Sequence, residues 1–457
     1  MRTHVKILGT ILVIVLIGVL AWAAWPDTAR LSVNAVAGRV PELTRPRNQS
    51  IPTVDVAKAV GWAKDAHPIP AKGLNVNAFA TGLDHPRWIY RLPDGDILVA
   101  ETNAPPGKGG GITGMIARFL KKRAGAATPS ANRITLLRDT NGDGVADLKT
   151  PFITGLNSPF GMVLLDNTLY VADTDALLAF PYKTGETQIT AKPRKLTALP
   201  SGGEHWTRSL IYDPKEKHLL VGIGSSTNIA DNGLEADKTR AAIWSVDPQT
   251  GQHALFATGM RNPVGMAINP QSGNLWAVVD ERDKMGSDMP PDYLTQVDFG
   301  NFYGWPWAYW GGYEDRRVTP FRPDLLEYTA RPDYALGAHV TPLGLVFTEN
   351  AKLGPSFAQG AAVAEHGSWN RRPPSGYKVV YVPFAGDGFP VKNSKPVDLL
   401  TGFLNAKGQA QGRPVGLAIS ATGALLVADD VGNTIWRVSS AAPPQASAAT
   451  PAPHSTQ

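Results

Sequence analysis

Six times between residues 86 and 430 the chain repeats one short pattern: a turn bearing proline or arginine, an apolar strand, a turn rich in Asp, Asn or Gly, and a second apolar strand. The copies open on Pro86-Arg87-Trp88, Pro159-Phe160-Gly161, Arg208-Ser209-Leu210, Pro263-Val264-Gly265, Pro342-Leu343-Gly344 and Pro414-Val415-Gly416. They close on Glu101, Asp173, Ser225, Glu281, His366 and Asp430. A strand-turn-strand unit cannot bury its apolar faces alone, so it has to stack on copies of itself. Repetition at this scale predicts an all-β, six-bladed β-propeller in which each blade is a small antiparallel sheet. A sandwich would not need the same kind of strand entry six times. Composition agrees: 46 glycines and 38 prolines supply turns, and long amphipathic helical patterns are scarce beyond the N-terminus. Uneven spacing between copies means that several blades carry long loops, which in propellers gather on one face and build the site.

Ahead of the repeats, Arg2, His4 and Lys6 precede residues 7–25, nineteen positions without a charge. Retained as a signal anchor, that segment is long enough to span a bilayer, with Trp22 and Trp25 suited to the interface. The alternative is a signal peptide within residues 1–25, cleaved after the small residues Ala21 and Ala23. The anchor is favoured, which places the body in the periplasm of a Gram-negative bacterium, held at the inner membrane, or secreted in soluble form if the signal is cleaved. Residues 26–70 read as a linker and tie-down segment, 71–440 as the propeller, and 441–457, rich in Ala, Pro, Ser and Thr, as a disordered tail. The chain has no cysteine, which removes disulfide, zinc-thiolate and thiol-nucleophile chemistry. Its formal charge of +5 is read as thinly spread, with no basic block or basic helix, so no nucleic-acid partner is expected.

Chemistry-bearing residues recur at equivalent places in the repeats. Strand starts carry Arg87, Arg208, Arg261-Asn262 and Arg413, while strand ends carry Glu101, Asp173, Asp280-Glu281, His366 and Asp430. Equivalent positions of a propeller converge on one axis, so these residues describe a pocket for a small polyanionic ligand, with or without a metal ion. Blade-to-blade salt bridges explain one such arginine better than they explain four. Gly202-Gly203-Glu204-His205-Trp206-Thr207-Arg208 falls in the same region, and its glycines allow a tight turn that delivers four functional side chains ahead of a strand. Imidazole titrates nearest neutrality, so His205 is the candidate general base.

Other stretches divide. Asp139, Asn141, Asp143, Val145 and Asp147, with Gly144 at the sixth position, have calcium-loop spacing, but Thr150 stands where an EF-hand places glutamate. A second calcium site there and a metal-free Asx turn both remain open. Gly107-Lys108-Gly109-Gly110-Gly111 lacks Walker order and a surrounding βαβ unit, so nucleotide binding is not expected. The aromatic run 301–310 is either a stacking surface for a sugar or flat cofactor, or blade core. His366-Gly367-Ser368-Trp369-Asn370-Arg371 follows an apolar strand and reads as pocket wall.

Glu204-His205 with Arg208, Arg261-Asn262-Pro263, Asn301-Phe302-Tyr303-Gly304-Trp305-Pro306, the 366–371 motif and Gly412-Arg413-Pro414 together carry a family resemblance. Over roughly residues 70–440 the chain resembles the sorbosone dehydrogenase and soluble aldose dehydrogenase family, six-bladed propellers that hold pyrroloquinoline quinone (PQQ) and calcium; the sorbosone branch is the more similar. The resemblance implies that His205 is the general base and that Arg261 and Asn262 meet the reactive quinone edge. Arg208, Arg371, Arg413 and Asp430 are the further expected cofactor contacts, and Glu101, Trp305, His366 and Trp369 the expected substrate contacts. A calcium ion is expected on the backbone carbonyls of Arg282 and Asp283. Two departures stand out: Ser368 lies near the place of the family's lysine, with Arg371 as a substitute, and Ser225 replaces the carboxylate that orients the imidazole in glucose-oxidising members.

The reaction implied is hydride transfer from a sugar carbinol or hydrated aldehyde to the quinone, L-sorbosone giving 2-keto-L-gulonate, with electrons passed to a membrane quinone or a cytochrome. A calcium-dependent sugar lactonase on a similar propeller is the first rival, but four arginines are poor company for an axial divalent cation. A non-catalytic binding propeller is the second, and it has no need of a charged axial pocket. NAD(P)-dependent aldehyde oxidation of the common kind requires a catalytic cysteine, which this chain lacks.

Overall fold

Proline and glycine in the repeated motif have separate tasks. Proline begins the innermost strand of four blades, the first position of a strand being one where its missing N–H is tolerated. Glycine lets neighbouring inner strands touch: a Cβ on Gly344 would lie 2.1 Å from the Val415 carbonyl oxygen, and one on Gly416 2.7 Å from that of Arg87. The same holds for Gly161 against the Leu210 nitrogen (2.3 Å) and Gly265 against the Leu345 nitrogen (2.8 Å). These backbone approaches draw the inner strands into a ring.

The computed structural model describes residues 26–107 and 111–441, and it is an all-β, six-bladed propeller. The first blade runs outward through Pro86–Arg91, Ile97–Glu101, Arg133–Arg138 and Leu148–Ile153. The next five begin on Met162–Leu165, Arg208–Asp213, Pro263–Ile268, Pro342–Phe347 and Pro414–Ile419, each with four antiparallel strands; the fifth also gains the short strand Ile69–Pro70. In the sixth blade the outermost strand is Leu74–Ala80, which pairs with Thr434–Ser440 from Leu74↔Ser440 to Ala80↔Ile435. Both ends of the body therefore share one sheet. Apolar clusters fill the spaces between adjacent blades, as where Tyr170 and Leu177 meet Leu210, Val221 and Trp244. Because successive side chains point to opposite faces and both faces are covered, inner strands read as continuous apolar runs.

The stretch before the first blade is tied to one face. Asp27 accepts hydrogen bonds from the Ser287 amide (2.7 Å) and Arg47 Nη1 (2.8 Å), the Asp55 amide donates to the Trp369 carbonyl (2.8 Å), and Trp62 Nε1 donates to Asp429 (2.6 Å). One sequence expectation fails. The loop after Ile97–Glu101 holds a basic helix, α1 (Gly111–Ala124), with Lys121, Lys122 and Arg123 in its last turn. Two glycines in its first turn and the glycine run ahead of it lower helix propensity, which hid it from the sequence reading. Among the described residues no helix is long and apolar enough to cross a membrane. The expected anchor, 1–25, lies outside the described residues, as does the tail from 442 onward.

The axial contacts make a direct prediction. Gly344→Ala should lower unfolding free energy by about 1–3 kcal/mol, because the new methyl meets backbone that cannot turn aside. Gly386→Ala, where nothing lies within 4 Å of the added carbon, should leave the urea midpoint unchanged.

Candidate active site

Antiparallel pairing places Pro86 opposite Glu101, Arg208 opposite Ile223, Pro263 opposite Val279, Pro342 opposite Glu365 and Pro414 opposite Asp429. Starts of first strands and ends of second strands thus meet at one mouth of the ring.

On one side of this mouth two arginines shape the loop that carries His205. Arg208 is fully buried and donates to the carbonyls of His205 (3.1 Å), Thr207 (2.7 Å) and Pro200. Arg240 donates to the carbonyls of Gly224 (3.0 Å), Pro200 (3.1 Å) and His205 (2.9 Å). The imidazole hangs from this frame with Nδ1 2.8 Å from the Ser225 carbonyl oxygen. A carbonyl can only accept, so Nδ1 carries the proton and Nε2 is bare. The backbone carbonyl of Ser225 thus orients the imidazole in place of a carboxylate. Burial, then the charges of Arg261, Arg240 and Arg208, hold the His205 pKa well below 6.5, and the ring is neutral. Gly224 is needed beside it, since a Cβ there would lie 2.3 Å from Asn262 Oδ1 and 2.6 Å from His205 Cβ. Arg261 is buried and pairs with both Asp280 and Asp283 at 3.1 Å. The other oxygen of Asp283 accepts Asn370 Nδ2 at 2.6 Å.

Across the mouth, Asp430 lies 2.6 Å from Arg87 Nη1 and 2.9 Å from His366 Nε2, with His85 at 3.8 Å. Burial alone would raise the Asp430 pKa, but His366, His85 and Arg87 together hold it well below the usual carboxylate range. Burial outweighs the pull of Asp430 on His366 and brings that imidazole down to about 4. A neutral His366 donating Nε2–H to an ionised Asp430 fits both, because Arg87 already balances the carboxylate. Arg413 stacks over the Tyr377 ring at 4.9 Å and donates to its hydroxyl. Four buried atoms here have no partner: Arg87 Nε, Arg413 Nε, Asn262 Oδ1 and Asp430 Oδ1.

The two sides close into one circuit. Arg87 lies over the Trp206 ring at 5.8 Å, Trp206 adjoins His205, the Ser225 amide donates to the Arg261 carbonyl (2.7 Å), Arg261 pairs with Asp283, and Asn370 leads through the 366–371 loop to His366 and Asp430. His205, Arg261, Asn262, His366, Arg413 and Asp430 are thereby brought together.

Other expected site residues are engaged elsewhere. Glu101 is buried within its blade, held by Arg133 (2.8 and 3.0 Å), Thr135 and the Asp84 amide. Arg208 supports the His205 loop, and Arg371 donates to the carbonyls of Ser287, Pro373 and Leu31. Trp305 is buried, with its indole N–H on the Asn228 carbonyl (3.0 Å), whereas Trp369 is half-buried. The Arg282 guanidinium is fully buried between Glu281 and Asp315. Its neighbour's carbonyl, on Asp283, accepts Arg317 Nη1 at 2.9 Å and Asn228 Nδ2 at 3.3 Å. A calcium ion on that oxygen would meet a guanidinium at close range, so the residues present fit a divalent cation poorly there. In the 139–147 loop the carboxylates of Asp139, Asp143 and Asp147 accept amides of Gly142, Gly144, Val145 and Thr140, and Asn141 Oδ1 that of Asp143, a pattern of Asx turns. Among the described residues no group of three or more His, Asp or Glu is disposed to hold a metal. Arg240, Asn228, His85 and His339 escaped the sequence reading. His85 adjoins the Pro86-Arg87 strand start and could have been found; Arg240 lies in a loop with no repeat to mark it.

The TrAA12-like family model matches residues 68–295 and 326–441. An uncharacterized protein of Borreliella burgdorferi is 29% identical over 301 residues, covering 62% of this chain and 76% of its own length. The PQQ-dependent pyranose dehydrogenase of Coprinopsis cinerea is 26% identical over 427 residues, covering 80% of this chain, which spans only 54% of that protein. Among solved structures, the Trichoderma reesei family AA12 enzyme superposes with a TM-score of 0.67 at 20% identity, over 85% of this chain and 99% of the other. The PQQ domain of the Coprinopsis enzyme gives 0.65 at 21%, over 84% and 100%. Since the family model matches most of the chain, and the fold is shared by these structures, this protein belongs to the TrAA12-like family.

Proposed function

We propose that this protein is a PQQ-dependent sugar dehydrogenase. The observation that carries the reading is the neutral imidazole of His205, bare at Nε2, beside Arg261 in a circuit where Arg87 and Arg413 keep buried N–H donors without partners. Buried donors without acceptors call for an anionic ligand, and the carboxylates of a planar quinone answer them. Arg413 and Arg87 would hold PQQ on one side and Arg261 with Asn262 on the other. When bound, PQQ supplies a two-electron acceptor for hydride. His205 Nε2 accepts the hydroxyl proton of a sugar carbinol or aldehyde hydrate as hydride leaves the same carbon. Arg261, fixed between Asp280 and Asp283, presents a positive charge that needs no reorganisation as negative charge develops beside it. No step is assigned to calcium.

The names borne by the relatives support a sugar as substrate, and the motif resemblance favours L-sorbosone, oxidised to 2-keto-L-gulonate. The N-terminal segment would hold the body in the periplasm, with electrons leaving to a membrane quinone or cytochrome. The lactonase reading is disfavoured by pairing: Asp280 and Asp283 bind Arg261 and Asp430 binds Arg87, and among the described residues no group of three or more His, Asp or Glu is disposed to hold a metal.

Arg413→Ala should weaken PQQ binding by about one to two decades, the value of a charge-assisted contact. Asp143→Ala should not change it, and equal affinities in a fluorescence titration of the two variants would place the pocket elsewhere.

His205→Ala should still bind PQQ but turn over about two to four decades more slowly. In the parent protein the rate should rise with pH through the folded-state pKa of His205, because only the neutral ring accepts a proton. Since that pKa is lowered, the acid limb should lie well below pH 6.5 and the profile should be flat in this group from there upward. A limb centred at or above 6.5, or near-normal turnover in His205→Ala with full cofactor occupancy, would remove His205 as the base.

A further inference from the structure

Helix α1 carries no acidic residue, and Met115, Ile116 and Phe119 are 58%, 52% and 65% exposed. Single exposed apolar side chains are ordinary, but three at spacing i, i+1 and i+4 share one side of a helix and form a patch. Lys122, exposed and three positions after Phe119, stands next to them, while Lys121, also exposed, falls on the far side of the helix. The helix is held at its C-terminal end: Arg123 Nε donates to the Val56 carbonyl (2.8 Å) and the Ala59 amide to the Arg123 carbonyl (2.8 Å). The tie-down segment that anchors it adds Val54 and Val60, 40% and 46% exposed, alongside. An apolar stripe bordered by Lys122, on a helix about 21 Å long without an acidic residue, matches the headgroup region of an anionic bilayer, where apolar side chains sink and an ammonium group meets phosphate.

A second observation points to the same occupant. The chain approaches the propeller on this face, since Asp27 binds the Ser287 amide and the Arg30 amide binds Asp288, both in the loop that also carries Asp283. The uncharged residues 7–25 end one position before Pro26. Once in a bilayer, that segment would deliver this face to the surface.

We propose that α1 is an interfacial helix that lays Met115, Ile116 and Phe119 into an anionic membrane surface, with Lys122 on lipid phosphate and Lys121 adding to the attraction, so that the mouth bearing His205 and Arg413 faces the membrane. The proposal is independent of the redox reading. Absence of cysteine makes the test clean. Phe119→Cys and, on the opposite face, Gln271→Cys are each labelled with an environment-sensitive fluorophore in the full chain and reconstituted into phosphatidylglycerol-containing vesicles. The label at 119 should shift to the blue and be quenched by spin-labelled lipid, while that at 271 reports water. Adding Lys121→Glu and Lys122→Glu, or using neutral phosphatidylcholine alone, should shrink the shift at 119. Circular dichroism melts establish that each variant is folded. A label at 119 that stays aqueous in anionic vesicles overturns the proposal. So does a shift that requires an added membrane protein rather than lipid, which would make α1 a protein-docking surface.

Discussion

Backbone contact around the axis is the constraint from which the remainder of this structure follows. Where Gly344 faces the Val415 carbonyl and Gly416 faces that of Arg87, no side chain separates one inner strand from the next. Interiors at such density do not yield continuously, so the angular position of each inner strand is fixed by its neighbours. Side chains at the strand starts inherit that precision. Arg87, Asn262 and Arg413 need little support of their own to point at a common centre, and their partners come from the adjacent strand ends.

Charge at the mouth is arranged in two ways. Arg87 and Arg261 are neutralised by Asp430 and by Asp280 with Asp283, which makes them rigid. Arg208 has no carboxylate partner and binds carbonyls alone, while Arg240 has only Asp237 at 4.0 Å. Burial, then the nearby Arg240, pushes Arg208 down to about 9. His205 is held neutral first by burial and then by Arg261, with smaller pushes from Arg240 and Arg208, the guanidiniums that shape its backbone. Loop geometry and protonation state thus share two of their contributors.

The propeller was legible because its periodicity is written in residue types with one physical use each, proline at a strand start and glycine at a backbone approach. The circuit at the mouth was legible in part for the same reason: Arg261, Asn262, His366, Arg413 and Asp430 sit at repeat-equivalent positions, and His205 lies in the loop just before one. Glu101 sits at such a position too, yet Arg133 and Thr135, on the next strand outward, hold it within the blade. Nothing in the linear order announces which strand-end carboxylate has a partner one strand away. Arg371 drew attention as a charge in a dense motif, but its donors are taken by the carbonyls of Ser287, Pro373 and Leu31, the last of them 340 positions upstream. Contacts of that range, and the helix in the glycine-rich loop, have no local signature.

The shared sixth blade has a consequence for how the protein comes into being. Leu74–Ala80 is among the first parts of the body to be synthesised and Thr434–Ser440 among the last; the late strand pairs with Leu425–Asp429 as well, but the early one has no sheet neighbour until the late one arrives. Arg87 belongs to the first blade and Asp430 to the last, so the ion pair across the mouth is also formed between early and late chain. A polypeptide released before its final residues would expose a long unpaired edge and a buried arginine without its counter-ion, both marks that proteases and chaperones recognise. Completion of the ring and completion of the mouth are therefore a single event, and a product truncated before it would lack both the closing strand and the partner of Arg87.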